Sequence, residues 1–506
     1  MNPSTAHPWS GMPVLPGIRW RLWLPLIAFT LYGLMLVRYT AAYAGGADSS
    51  GYLNNARLLD HGSLISPMRQ VPGLDPHTLT SFAYVPLGFI PRADGTHMVP
   101  TYPMGLPLAV LAVAHIAGWS VAPILTVVLH SLLGLWLVYL LGRAFGLESG
   151  WAWCGAMLLA ASPLYLSMSL QMMSDVPATT WVTAAVLCAW KARERTWLAL
   201  VAGAMVSLAV LDRPTNLLAI VPVGLALGLS TRRWLLLVAG GLPGAVFLGA
   251  VNLSAYGRVF TTGYGGIGGL LALANVLPAL LHYARWLPAL FTPLIVLSLG
   301  LPLLARRQPL ASAVLGAWAG VFLGFYLFYY HTHEAWWYLR FILPAVPPLL
   351  VAALLVARTL AQRGRLAPRA WWLAVAAIPI SISGLGWFRH FDLASTGAGE
   401  RTYPEAASWM TAHLPANAVV GSMQTSGALV YYTTFTVFRW DTISSAEFER
   451  IAAACAAAGR PVYAALYPFE IEEQGAFRRH LTGRWVPVAR VRDIGVWRYD
   501  SAGSSP

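Results

Sequence analysis

A small set of acids, phenols and guanidinium groups stands out in a chain that is otherwise strongly apolar. The run Asp48-Ser49-Ser50-Gly51-Tyr52-Leu53-Asn54-Asn55-Ala56-Arg57 follows directly on the first apolar segment. Its carboxylate therefore falls where a membrane helix meets water. On a helix, Tyr52 lies one turn after Asp48, Asn55 three residues further on, and Arg57 close to the same face. Such a helix presents an acid, a phenol and a guanidinium together at the membrane surface. The plainer use of Asp48 or Ser49 is as an N-cap. Asp175, in Gln171-Met172-Met173-Ser174-Asp175-Val176-Pro177, has the same two readings: a functional acid, or a cap with proline in the first turn. Arg340 heads Arg340-Phe341-Ile342-Leu343-Pro344 and either snorkels at a helix end or holds an anion. Arg213 precedes Pro214, and His331, His333 and Glu334 share one short polar stretch. Two histidines two residues apart, with no acid cluster, are weak metal spacing, and an interfacial histidine is the simpler reading.

The elements that must position these residues follow from composition. The chain has 506 residues, is 57% hydrophobic and only 10% charged. Soluble domains carry about a quarter charged residues, so this is a polytopic membrane protein. Its net charge of +13 is almost all arginine, Lys191 being the one lysine. The arginines cluster between apolar segments, where they orient helices, so no nucleic-acid partner is implied. Trp (22) and Tyr (21) are abundant enough for interfacial belts. Cys154, Cys188 and Cys455 are too scattered for a disulfide framework or a metal site.

Placing arginine-rich loops inside gives a cytoplasmic lead over 1–21 and a membrane domain over 22–388. Eleven spans are expected, at 22–40, 121–141, 151–168, 176–190, 197–211, 219–229, 234–252, 285–304, 311–330, 341–357 and 371–387. The first outer loop covers 41–120, and its apolar stretch 103–119 must begin and end outside, as an interfacial or re-entrant helix. Residues 389–506 turn soluble in composition. Helices are expected over 404–413 and 445–458, strands over 418–423, 428–436 and 461–467, and a hairpin over 485–499. The expected architecture is an all-α polytopic membrane domain with a small C-terminal α/β domain. It lies in the plasma (inner) membrane, with the N-terminus cytoplasmic and the C-terminal domain extracytoplasmic.

This topology collects Asp48, Tyr52, Arg57, Asp175, Arg213, His331, His333, Glu334 and Arg340 on the outer face, with His97 and Tyr102 within reach in the loop. Arginines outside, close to spans, run against the usual charge bias and call for a role. The pattern resembles the GT-C superfamily of polyprenyl-phosphate-dependent glycosyltransferases, which includes protein O-mannosyltransferases and the aminoarabinose transferase of lipid A. The resemblance rests on Asp48, Tyr52, Ala56 and Arg57 after the first span, and on Tyr102-Pro103 opening a short apolar segment. Ser174-Asp175, Arg213-Pro214 and Arg340 complete it, over about residues 20–390. The chain departs from many relatives in having Ser49 where a second acid stands and Gly51 where some carry arginine. It has no Asp-x-Asp motif in the outer loops.

The resemblance implies transfer of a hexosyl or pentosyl group from a polyprenyl-phosphate donor to a glycan, lipid or protein acceptor on the outer side. Asp48 is then the base, with Asp175 orienting the acceptor or the partners of Asp48. Arg57, Arg340 and Arg213 bind the donor phosphate, and Tyr52, Tyr102, His331 and Glu334 line the substrate site. A single base with direct displacement implies inversion. Without Asp-x-Asp no metal cofactor is expected. The competing class is a membrane transporter of a lipid-linked or small polar substrate. It requires ionisable groups near the midplane, of which His130 is the clearest. A third class is an assembly protein that presents its C-terminal domain, which would not need Asp48 and Asp175 to meet.

Overall fold

The computed structural model describes residues 20–364, 375–376 and 378–500. Helix α1 (Trp20–Tyr39) is followed by α2 (Ala47–Asp60), the helix that carries Asp48. Strands β1 (Ser66–Pro67), β2 (Phe89–Pro91) and β3 (His97–Pro100) then form a small antiparallel sheet in the order β1-β3-β2. These strands are too short to have been visible as runs of alternating residues. Helix α3 (Gly105–Ala117) is the apolar stretch expected at the membrane surface. Thirteen residues at about 1.5 Å each fall short of a hydrocarbon layer about 30 Å thick.

The bundle proper comprises α4 (Ala122–Ala144), α5 (Ser149–Ala160), α6 (Pro163–Ser169), α7 (Asp175–Lys191), α8 (Leu198–Asp212), α9 (Ile220–Leu227), α10 (Thr231–Tyr256), α11 (Val276–Leu290), α12 (Pro309–Leu327) and α13 (Val346–Arg363). Among the described residues, four helical segments are long and apolar enough to cross a membrane, and up to six if each bent pair counts as one span. The expected count of eleven is therefore not fixed by length and hydropathy. One expected span is not a straight helix. Over 285–304 the chain leaves α11 and turns by 118° into a 3-10 segment, Pro293–Gly300. Pro288, inside α11, and Pro293 both remove helical donors there, which is the local cause of the break. The last expected span, 371–387, lies partly outside the described residues.

Burial sorts the bundle. Segment Trp336–Arg363 has 83% of its apolar window buried, and α10 only 11%. The first is the packed centre and the second an outer helix, with Leu235, Val238, Leu242 and Val246 bare on its surface. The central segment starts as a 3-10 helix, Trp336–Ala345, and becomes α13 at Pro347-Pro348, where proline is tolerated in the first turn. Arg340 therefore stands on a tightly wound stretch at the end of the most buried element.

The C-terminal region holds a five-stranded mixed sheet in the order β5-β4-β6-β8-β7. Its strands are β4 (Val419–Gly421), β5 (Thr436–Phe438), β6 (Val462–Leu466), β7 (Arg484–Val491) and β8 (Ile494–Asp500). Strands β5, β4 and β6 run parallel, and β6, β8 and β7 antiparallel. Helices α14 (Thr402–His413) and α15 (Ser426–Tyr432) bury Ala406, Met410 and Leu429 on one face of the sheet. Helix α16 (Ser445–Ala457), closed by a Ser444/Glu447 capping box, buries Phe448 and Ile451 on the other. The strand expected over 428–436 is a correction. Residues 426–432 are helical, and only Thr436–Phe438 is strand. Val430, Tyr431 and Tyr432 suggested a strand by type, but the parallel crossover from β4 to β5 needs a helix there.

Candidate active site

Asp48 and Asp175 both lie in the first turn of a helix, yet neither is the N-cap. Those positions are Gly46 and Ser174, and neither makes a side-chain cap bond. Each acid instead meets an arginine. Asp48 Oδ2 is 2.8 Å from Arg340 Nη1, with side-chain exposures of 22% and 14%. Asp175 Oδ1 is 2.6 Å from Arg213 Nη1, with exposures of 2% and 12%. The two guanidinium groups lie 5.3 and 5.0 Å from the centre of the Phe341 ring. Phe341 thus joins both pairs into one cluster, and Tyr326 stacks on Phe341 at 5.7 Å while its hydroxyl bonds Thr215.

Phenols close the cluster. The Tyr52 hydroxyl is 2.8 Å from Ser174 Oγ, which ties α2 to the start of α7. The Tyr52 and Tyr102 rings pack at 4.9 Å, and Tyr264 meets Tyr102 edge-on at 6.1 Å. Tyr102 donates its hydroxyl proton to the Asp48 carboxylate. Burial alone would raise the Asp48 carboxyl, but Arg340, Tyr102 and Arg213 outweigh it and hold the group below its ordinary value. Burial and the Asp48 charge push the Tyr52 and Tyr102 phenols up, so both remain proton donors. Asp48 is an anion at neutral pH, supported by Arg340, by the Tyr102 phenol and by the more distant Arg213.

Gly51 has a steric reason. A Cβ built there would stand 2.3 Å from the Tyr102 ring and 3.0 Å from Gly88 Cα. Tyr102 fills the space beside Gly51 and reaches Asp48 across the bare backbone. Arg340 Nε has no partner and is buried. An unsatisfied donor on a buried guanidinium costs free energy and marks a place for a further acceptor atom.

The other expected residues divide. Arg57 does not join the cluster. Its Nη1 donates to the Tyr431 carbonyl at 3.1 Å, and its guanidinium sits 3.7 Å from the Tyr431 ring centre. Arg57 is nine residues after Asp48, half a turn off at 100° per residue, so the helix turns it away from the face of Asp48. His331 Nδ1 and Glu334 Oε2 pair at 2.6 Å, and His331 leans on Tyr338, which stacks on Phe341 at 5.8 Å. That pair borders the cluster through two rings, without contacting either acid. His97 pairs with Asp94 at 3.2 Å in the turn between β2 and β3, and His333 Nδ1 is buried without a partner. His130 Nδ1 bonds the Thr126 carbonyl of its own helix at 2.7 Å, an ordinary half-buried histidine. The reading missed Phe341 and Tyr326 as connectors, although Phe341 follows Arg340 directly.

Among the described residues no three His, Cys, Asp or Glu side chains group closely enough for an ion. The two central acids already carry guanidinium groups at 2.8 and 2.6 Å, so an ion would have to displace an arginine.

The profile of the family described as dolichyl-phosphate-mannose-protein mannosyltransferase matches residues 103–254. No curated protein sequence matches the chain. Solved structures share its fold. ArnT from Cupriavidus metallidurans, bound to undecaprenyl phosphate, aligns at TM-score 0.55 and 13% identity over 96% of this chain and 99% of its own. The Archaeoglobus fulgidus oligosaccharyltransferase aligns at 0.52 and 14% identity over 90% of this chain and 70% of its own. The arabinofuranosyltransferase AftD from Mycobacteria aligns at 0.53 and 14% identity over 95% of this chain and 40% of its own. The chain therefore shares its fold with these three proteins, and over residues 103–254 it is similar to the mannosyltransferase family.

Proposed function

We propose that this protein is a membrane glycosyltransferase that moves a sugar from a polyprenyl-phosphate donor to an acceptor on the outer face of the plasma membrane. The observation that carries the reading is the Asp48/Arg340 pair, with an unpartnered Arg340 Nε beside it. Support for the donor class comes from the ArnT neighbour, whose structure holds undecaprenyl phosphate.

In this reading the donor phosphate enters beside Arg340, with its prenyl tail along the spans. An acceptor hydroxyl attacks the anomeric carbon from the side opposite the phosphate. The bond from that carbon to the phosphate oxygen breaks, its electron pair leaves with the polyprenyl phosphate, and the hydroxyl proton passes to Asp48. The configuration inverts, because one displacement occurs. Arg340 stabilises the charge that builds on the leaving phosphate. Arg340 is also the cation that holds Asp48 ionised. A phosphate that shares Arg340 weakens this support and raises the proton affinity of Asp48 when a base is needed. Asp175 keeps Arg213 in place beside Phe341, and the reaction runs without a metal. The cluster lies outside the membrane, with the C-terminal sheet region on the same side.

The test is deletion of the gene followed by mass spectrometry of the host's surface glycans, lipids and glycoproteins. The reading expects one modification to vanish and to return on complementation. An unchanged glycan and lipid profile would overturn it.

A further inference from the structure

Helix α2 is an unusual carrier for a base. It buries polar residues: Ser50 and Asn55 are fully buried and Asn54 nearly so. Fourteen residues make a helix that is marginal alone in water, and here few apolar side chains hold it. Its place must come from specific contacts, and several of those involve the C-terminal sheet region. Helix α2 packs on α3 on one side and on α15 on the other. Asn54 Nδ2 donates to the Gly427 carbonyl at 3.0 Å. The Ala44 N–H, just before α2, donates to the Tyr432 hydroxyl at 2.9 Å. The Leu87 N–H donates to Ser426 Oγ at 3.0 Å, and Arg57 lies on Tyr431. Arg69, from the first outer loop, donates to the carbonyls of Thr433, Phe435 and Val430 at 2.7, 3.2 and 3.4 Å. A cation at the C-terminal end of α15 suits both its free carbonyls and its dipole.

At Gly427, α15 lies tight against α2. A Cβ there would meet Ser50 Oγ at 2.2 Å, the Leu87 carbonyl at 2.7 Å and Ser50 Cβ at 3.0 Å. No side chain fits without moving α2, and Ser50 is two residues from Asp48.

We propose that Gly427 is a positioning residue, and that α15 sets where Asp48 stands relative to Arg340. The C-terminal region is then part of the transfer site, not an appendage to it. This rests on reading the Asp48/Arg340 pair as the place where the donor phosphate binds.

The test uses the full chain in lipid nanodiscs with undecaprenyl phosphate as probe. Gly427→Ala, Asp48→Asn and their combination are compared in a double-mutant cycle. If Gly427 acts through Asp48, Gly427→Ala tightens probe binding several-fold, because an anion is drawn away from Arg340. The same substitution then has no effect in the Asp48→Asn background. Equal effects in both backgrounds would overturn the proposal. Amide hydrogen exchange reads the helix directly. Gly427→Ala should speed exchange over residues 47–60 and leave α7 unchanged, with Ser50→Gly restoring part of the protection. Unchanged exchange over 47–60 would also overturn it. Should Gly427→Ala not fold, Tyr432→Phe removes only the hydroxyl that accepts from Ala44 and is expected to act in the same direction more weakly. A wild-type protein that does not bind the probe would refute the donor reading, while the exchange data would still decide whether α15 places α2.

Discussion

At the scale of the residue, the site is two acids, each held by a guanidinium, around one phenylalanine ring. Asparagine keeps the shape of Asp48 and removes its charge. Asp48→Asn is expected to fold normally and to lose turnover by a factor on the order of 10²–10⁴, the usual worth of a general base. Turnover beside thermal unfolding of the same samples checks this, and full turnover in the folded variant would remove Asp48 from the chemistry. The lowered Asp48 value also fixes a sign. A base whose pKa is depressed stays ionised further into acid, so the acid limb of kcat/KM should lie below the ordinary carboxylate value near 4. By linkage, the pair's contribution to stability is complete above that ordinary value and is lost as pH falls through the depressed one. The arginines separate in the same way. Arg340→Ala should weaken binding of undecaprenyl phosphate, and Arg340→Lys should recover only part of it because the fork is gone. Arg57→Ala should not weaken that affinity, since Arg57 is engaged with Tyr431 and not with the acids. Isothermal titration of the three variants in nanodiscs distinguishes the two positions.

At the scale of the element, α2 has no room to spare. Ala is the better helix former by about 1 kcal/mol, so Gly51→Ala should stabilise an isolated helix. In the folded protein its Cβ would overlap the Tyr102 ring at 2.3 Å, and overpacking costs typically 1–3 kcal/mol. The clash outweighs the propensity. Gly51→Ala is therefore expected to lower the unfolding temperature and to push Tyr102 off Asp48, which moves the acid limb upward. A variant with unchanged melting and pH profile would show that the Tyr102 contact is dispensable. The break after α11 is another element-scale feature: two prolines, 288 and 293, flank a 118° turn that charge counting reads as one span.

At the scale of the whole molecule, the outer loop and the C-terminal region share a boundary with an ionisable group in it. The Glu400 carboxyl packs on the Gly45 backbone beside Tyr403, and burial raises it to about 7. The folded state then holds this proton more tightly than the unfolded one. Stability falls as pH rises from the ordinary glutamate value through about 7, by on the order of 2–3 kcal/mol. Glu400→Gln should flatten that loss and melt higher than the wild type at pH 8, and melting curves between pH 5 and 8 decide the matter. The proposed orientation has its own check. A tag after residue 506 should react with an impermeant probe while the inner membrane is intact, and labelling only after lysis would reverse the topology.

Sequence alone determined the membrane class, the candidate acids and arginines, and the short apolar helix α3, because each depends on local composition, charge bias or length. It also determined the order of Asp48, Tyr102, Asp175, Arg213 and Arg340 along the chain, which carries the family resemblance. Tertiary structure decided which of these meet. Helical periodicity could not tell that Arg57 turns toward Tyr431, since nothing near residue 57 announces a partner some 374 positions away. The pairing of Asp48 with Arg340 and of Asp175 with Arg213 is likewise a matter of long-range packing around Phe341. The helix at 426–432 was hidden for the same reason. Its valine and tyrosines favour a strand by type, and only the crossover between parallel strands and the backbone contact at Gly427 make it helical. Local propensity differs by tenths of a kilocalorie per residue, whereas a buried contact or an unpaired buried charge is worth several, so packing prevails wherever the two disagree.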